Sequence, residues 1–244
     1  MTKRGRMSGG TPSGPKRGRV TKPEKVSAEH QRQFTRKVKT AKGRKLSSKL
    51  WLERQINDPY VARAKAEGWR SRAAYKLQEI DDKFSLISPG ILVADLGSAP
   101  GGWSQVALRR GAAKVVGIDL LPVEPIEGSV QLEMDFTDPS AGEAVAEALG
   151  GAPALVMSDL AANTTGHKQT DHLRTINLVE EAAQFAMDNL APGGAFVAKV
   201  FQGGTTADVL EELKQRFATA KHFKPESSRK GSPEIYLVAT GFKG

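Results

Sequence analysis

The chain has 244 residues, 39% of them hydrophobic, with a net charge of +9 and no cysteine. That is enough for one sizeable core, and it excludes disulfides and thiolate metal sites. No apolar run reaches the roughly 20 residues of a membrane span, and the opening MTKRGRMSGG lacks the apolar segment of a signal peptide, so a cytoplasmic protein is expected.

The charge is unevenly spread. Residues 1–50 hold 16 of the 36 Lys and Arg but only Glu24 and Glu29, a net of +14, which leaves −5 on the rest. The first 45 residues are rich in Gly, Pro, Ser and Thr and poor in large apolar side chains. Such a segment buries too little surface to offset its ordering entropy. Residues 1–45 are therefore expected to be a disordered basic arm suited to RNA or DNA phosphates, and residues 46–244 a single folded domain.

Within that domain, helices are expected over 51–66 and 71–84; in the second, Ala74, Leu77, Ile80 and Phe84 recur at helical spacing and Ser71 is placed to cap it. ILVAD (91–95) is a short apolar run ending in an acid, followed by a glycine turn and a helix over 103–110. KVVGID (114–119), VQLEMD (130–135) and ALVMSD (154–159) repeat the pattern, with a helix near 141–149 before the last. A long helix over 171–190 stops at Pro192-Gly193-Gly194. Then come a strand over 195–201, a helix over 206–217, a short strand near 220–224 and a final strand, EIYLVAT (234–240). Alternating strands and helices predict an α/β fold around a mostly parallel sheet. Strands buried on both faces account for the nearly continuous apolar runs.

In such sheets ligands sit beyond the carboxyl ends of the strands. Asp95, Asp119, Asp135 and Asp159 all fall at run ends, and DLGSAPGGW (95–103) forms a turn whose glycines permit close backbone approach. The G-x-G-x-x-G fingerprint fails at Ala99, which disfavours a pyrophosphate and a dehydrogenase. Asp119 is placed to accept from ribose hydroxyls and Asp135 from an adenine amino group. A positively charged nucleoside suits this acidic crevice, and S-adenosylmethionine is one. Any one of these aspartates alone reads first as a helix or turn cap; four of them around a glycine turn favour a nucleoside site. The histidines at 30, 167, 172 and 222 form no recognised metal-ligand spacing, so no metal is expected.

WRSRAAYKLQEI (69–80), DLGSAPGGWSQV (95–106), GIDLLPVEPI (117–126), MSDLAAN (157–163), PGGAFVAKVFQG (192–203) and SSRKGSPEIYLVATG (227–241) together resemble the FtsJ/RrmJ family of RNA ribose 2′-O-methyltransferases. The resemblance implies a Rossmann-like, S-adenosylmethionine-dependent methyltransferase fold with a seven-stranded sheet in the order 3-2-1-4-5-7-6, its last strand antiparallel. It implies cofactor contacts at Gly101, Trp103, Asp119 and Asp135, with Asp159 near the transferring methyl group. It also implies a catalytic tetrad of Lys76, Asp159, Lys199 and Glu234. One departure is Ala162, where the family usually has proline.

Lys199 stands among apolar residues in AFVAKVF, where a lone ammonium is expensive. By itself it reads as well as a strand-end lysine that snorkels to solvent; Lys76 alone would be a solvated helix residue and Glu234 an edge-strand charge. Taken as a tetrad they have a chemical reading: a neutral Lys199 takes the proton of a ribose 2′-hydroxyl or steers its lone pair, while Lys76, Asp159 and Glu234 set its protonation and hold the ribose. Arg70, Arg72, Arg229 and Lys230 are expected to flank the crevice and grip phosphates. The resemblance points to a uridine in the A loop of 23S rRNA on the large ribosomal subunit; the basic arm is expected to add RNA affinity, and a monomer is expected as the working state. Transfer RNA or another RNA as substrate is an alternative within the family. An RNA-binding ribosome-assembly factor that keeps the cofactor site is an alternative of another class.

Overall fold

The structure is a computed structural model that describes residues 49, 52–53, 55–161, 168–202, 207–229 and 231–244, without the side chains of 168–172, 207 and 208. The basic arm, Ala162, His30, His167 and Lys230 lie outside the described residues.

The expected helix over 51–66 is interrupted. Residues 52–53 and 55–56 are helical, but the turn at Asn57–Asp58 breaks the run and α1 (Pro59–Ala66) starts afresh. The cause is local: Pro59 cannot donate to a preceding turn, and the Asp58 carboxylate caps the new helix by accepting from the Tyr60 N–H at 3.0 Å. α2 (Ala73–Phe84) begins two residues later than Ser71, with Arg72 at its N-cap and no side-chain cap bond. Ser71 does not cap it; its hydroxyl packs where a side chain on Gly102 would stand.

β1 (Leu92–Leu96), α3 (Gly102–Arg109), β2 (Lys114–Asp119), β3 (Ser129–Glu133), α4 (Ala141–Leu149) and β4 (Leu155–Ser158) follow in order. After them come α5 (Lys168–Asn189), β5 (Ala195–Phe201), α6 (Ala207–Arg216), β6 (Phe217–Phe223) and β7 (Glu234–Phe242). The seven strands form one sheet in the order β3-β2-β1-β4-β5-β7-β6. Neighbours from β3 to β5 pair in parallel, and β7 runs antiparallel to both β5 and β6. The α/β sheet and its strand order are those expected. Among the described residues no helix is long and apolar enough to cross a membrane.

The period-two alternation of the strands divides the core. Ala94, Leu96, Val116, Ile118, Val156, Phe196, Ala198 and Leu237 face α4, α5 and α6. Val93, Val115, Leu155, Met157, Val197, Tyr236 and Val238 face α2 and α3. Odd positions of β5 and even positions of β7 thus share the α2 side. That parity sends Lys199, Tyr236 and Glu234 to one face, and it is the face on which α2 lies.

Candidate active site

α2 lies on that face because Ala74, Leu77 and Ile80 are fully buried there. One helical turn sets Lys76 beside them, itself buried, with its ammonium directed at the end of the sheet. β5 carries Lys199 opposite Tyr236 of β7, and Phe201 lies opposite Glu234. Asp159 is the first residue past β4.

The four expected tetrad residues converge. Lys76 Nζ lies 2.8 Å from Glu234 Oε1 and 3.9 Å from Asp159 Oδ1. Lys199 Nζ lies 3.2 Å from the same Asp159 oxygen and donates to the Asp159 carbonyl at 2.7 Å. Lys199 is 8% exposed and does not snorkel. A residue not anticipated from sequence completes the arrangement. The buried Tyr236 hydroxyl donates to Asp159 Oδ1 at 2.8 Å and stands 3.4 Å from Glu234 Oε1. Ser228 Oγ donates to Glu234 Oε1 at 3.0 Å. The signal for Tyr236 was available: it stands two residues from Glu234, hence on the same face of a strand.

The electrostatics follow from these contacts. Burial pushes the Asp159 carboxyl up, but the Lys199 and Lys76 ammoniums and the Tyr236 hydroxyl outweigh it and hold the group below the ordinary aspartate range. Burial, then the Asp159 and Glu234 charges, push the Tyr236 hydroxyl well above its usual value, so it stays a donor. A lysine ammonium has three donors; Lys199 donates one to the Asp159 carbonyl and pairs with the Asp159 carboxylate, which leaves room at the nitrogen for a group that enters the crevice.

The nucleoside-side residues occupy the adjoining strand ends. Asp119 ends β2, and its two carboxylate oxygens accept from the Ala99 and Leu121 N–H groups at 2.9 Å each. Each oxygen keeps a further lone pair. Leu120 and Leu121, next in sequence, are 68% and 64% exposed, an apolar surface beside a carboxylate. Asp135, exposed, uses Oδ1 for the Thr137 N–H and hydroxyl. Gly101 has φ +101°, where a side chain would be strained, and N-caps α3. Trp103 is buried; its indole N–H is donated to the Ala73 carbonyl at 2.9 Å and its ring centroid lies 5.7 Å from that of Tyr236. It therefore forms the floor that joins the glycine turn to the tetrad. An acidic, partly apolar rim of this kind fits a cationic nucleoside such as S-adenosylmethionine better than a diphosphate.

One expectation fails. Asp95 is not at a strand end facing a ligand: it lies inside β1, 1% exposed, accepting from Ser104 Oγ at 2.6 Å. The three described arginines expected at the rim are each engaged within the fold. Arg70 donates to three backbone carbonyls, of Pro100, Glu124 and Pro125. Arg72 pairs with Asp58 at 2.7 Å and with the Ser227 carbonyl, and Arg229 pairs with the same Asp58 oxygen at 2.9 Å. Asp58 thereby ties α1, α2 and the segment before Glu234 together.

Among known proteins, the chain is 64% identical over 209 residues to the ribosomal RNA large subunit methyltransferase E of Sphingopyxis alaskensis, covering 85% of this chain and 91% of that one. It is 56% identical over 225 residues to the protein of the same name from Caulobacter vibrioides, covering 92% of this chain and all of that one. A crystal structure from Plasmodium falciparum, described as a ribosomal RNA methyltransferase, superposes with a TM-score of 0.65 at 31% identity, over 72% of this chain and all of that one. The family model for FtsJ-like methyltransferases matches residues 69–242, from the segment leading into α2 to the last residue of β7, so the chain belongs to that family.

Proposed function

We propose that this chain transfers the methyl group of S-adenosylmethionine to the ribose 2′-hydroxyl of a uridine in the A loop of 23S rRNA, on the large ribosomal subunit in the cytoplasm. The name shared by its bacterial relatives supports the ribosomal substrate, and the family resemblance supports the ribose hydroxyl and the A loop. The observation that carries the chemistry is the meeting of Lys199, Lys76 and Tyr236 on one oxygen of Asp159.

Gly101, Trp103, Asp119 and Asp135 would hold the cofactor along the ends of β1, β2 and β3. Bound there, S-adenosylmethionine supplies a methyl carbon on a sulfonium, open to an in-line nucleophile. A ribose hydroxyl is a poor nucleophile until its proton begins to leave. Lys199 is the acceptor. As a neutral amine it keeps its hydrogen bond to the Asp159 carbonyl and turns a lone pair toward the crevice. Asp159 fixes that direction. Lys76, held by Glu234, balances the carboxylate charge and keeps the ribose oxygen in place. Tyr236 and Ser228 orient the two carboxylates. Residues 46–244 form the catalytic domain, working as a monomer, and the basic arm, residues 1–45, adds sequence-independent RNA affinity.

The test is to incubate the protein with labelled S-adenosylmethionine and undermethylated 50S subunits, naked 23S rRNA or bulk transfer RNA, then map the labelled nucleotide. Label on one A-loop ribose of the 50S particle is expected. Label confined to transfer RNA would move the substrate, and label on a base would overturn the chemistry.

A further inference from the structure

Arg70 stands six residues before Lys76, at the rim of the crevice, and its charge suggests a phosphate ligand. Its geometry suggests otherwise. Among the described residues, every hydrogen bond of its guanidinium goes to a backbone carbonyl: Pro100 at 3.2 Å, Glu124 at 2.6 Å and Pro125 at 2.8 Å. These carbonyls come from two different loops. Pro100 belongs to the glycine turn after β1, and Glu124 and Pro125 to the loop that leaves Asp119 at the end of β2. A planar fork with five donors is suited to hold several acceptors at once. The backbone of Arg70 is itself fixed, since its N–H donates to Gln105 Oε1 of α3 at 2.9 Å.

The clamped loop sits on Gly101. A Cβ placed on Gly101 would come within 2.6 Å of Ile126 Cδ1 and 3.0 Å of Arg70 Nη1. The same loop is anchored from beneath. The Ile126 carbonyl accepts from the Ser129 N–H and hydroxyl, Gln131 Nε2 donates to that hydroxyl, and Ser98 Oγ of the glycine turn donates to Gln131 Oε1, each at 2.9 to 3.0 Å. The loop over residues 120–128 is thus fastened to the glycine turn from both sides. It begins at Asp119, ends over Gly101, and carries the exposed Leu120 and Leu121 between them.

We propose that Arg70 is a positioning residue for the cofactor: by stapling residues 120–128 over the glycine turn it fixes the distance between Asp119 and Gly101 and shapes the wall against which the nucleoside packs. This rests on the reading of those positions as the S-adenosylmethionine site. RNA phosphate is the rival partner for Arg70. The three carbonyl bonds leave two of the five guanidinium donors, so the two roles are separated by which affinity falls when the side chain is removed.

The experiment is calorimetric titration of S-adenosylmethionine, and of its demethylated product S-adenosylhomocysteine, into the full chain and into Arg70→Ala and Arg70→Lys. Binding of a 23S rRNA fragment is measured at several salt concentrations in parallel. For Arg70→Ala the cofactor Kd is expected to rise at least tenfold, the loss of roughly one to two good hydrogen bonds. Arg70→Lys, which keeps the charge but not the fork, should recover only part of it. KM for the cofactor should rise while kcat at saturating cofactor holds within about threefold, the pattern of lost ground-state binding. RNA affinity and its salt slope should not move. Ile126→Ala, which removes the contact over Gly101 without touching charge, should weaken the cofactor in the same direction, and it decides the matter should Arg70→Ala not fold. Unchanged cofactor affinity in the variants, with a salt slope for RNA reduced by about one, would overturn the staple and make Arg70 a phosphate ligand. Absence of cofactor binding by the wild-type chain would instead overturn the site itself.

Discussion

Two carboxyls, one fully buried and one half-buried, sit one strand apart and behave in opposite ways. Asp95 lies in β1 and Asp159 just past β4, and the two strands pair in parallel, Leu96 opposite Ser158. Burial alone raises both. Asp95, served chiefly by the Ser104 hydroxyl and facing the negative charge of Asp159, is pushed up to about 7. Asp159, against two ammoniums and a phenol, is held below the ordinary range. The sign of each shift is set by what α2, β5 and β7 bring to one carboxyl and not to the other. The end of β4 is therefore a place to keep charge, and the interior of β1 a place where charge is costly.

The largest effect should come from making the second carboxyl resemble the first. Lys199→Ala removes the nearer ammonium from Asp159 and the proposed proton acceptor together. Single-turnover methyl transfer to undermethylated 50S subunits is expected to fall by about 10²–10⁴, with cofactor affinity within a few-fold of wild type. Lys199→Arg separates the two roles. Arginine keeps a cation beside Asp159 but does not deprotonate in proteins, so the carboxylate should stay charged while turnover is still lost. Transfer at near wild-type rate by either variant would remove Lys199 from the mechanism.

Asp95 offers the next largest effect, read as stability against pH. Its folded-state pKa of about 7 is above the ordinary 3.8. Between those values the folded protein holds a proton that the unfolded chain has released, so stability falls as pH rises through this window and levels off above it. The full cost is on the order of 4 kcal/mol. Asp95→Asn, which keeps an acceptor for Ser104 and removes the titration, should gain on wild type progressively from pH 4 to pH 7, as followed by urea unfolding. Asp159 has the opposite sign. Its contribution is present above the unfolded aspartate pKa and is lost only as pH falls through its depressed folded value. A constant difference between wild type and Asp95→Asn across pH 4–8 would show that burial does not burden Asp95.

Much of this was legible in the sequence, and the limits have physical causes. The strands at 114–119 and 195–201 and the helix at 141–149 follow from local pattern alone, and the structure returns the same bounds. The strand order and the tetrad came with the family resemblance, since no periodicity tells which strand lies beside which. The break at Asp58 has no periodic signature, because apolar spacing continues across it while a cap and a proline act at a single point. Asp95 and Asp159 look alike as run-end aspartates; what distinguishes them is carried by Lys76 and Lys199, which are remote in sequence from both. The partners of Arg70 lie 30 to 55 residues away and are backbone carbonyls, which have no signature in residue type.

The smallest effect tests the finest difference between the two carboxyls, the phenol that only Asp159 has. Tyr236→Phe keeps the ring against Trp103 and under the Lys76 ammonium, 5.7 Å from each, and deletes the hydroxyl's 2.8 Å hydrogen bond to Asp159 with its longer, 3.4 Å contact to Glu234. Because Lys199 and Lys76 still serve that oxygen, no buried charge is left without a partner, and the cost should fall near the low end for a bond to a charged group, about 1–2 kcal/mol. Loss of a donor raises the carboxyl's folded pKa, so the stability that Asp159 contributes should disappear at a higher pH on acidification than in wild type. Turnover should fall only a few-fold, since the phenol orients Asp159 and takes no proton. A loss as large as that of Lys199→Ala would mean instead that the hydroxyl itself touches the reacting oxygen, and that Asp159 is held in place for the phenol rather than for the amine.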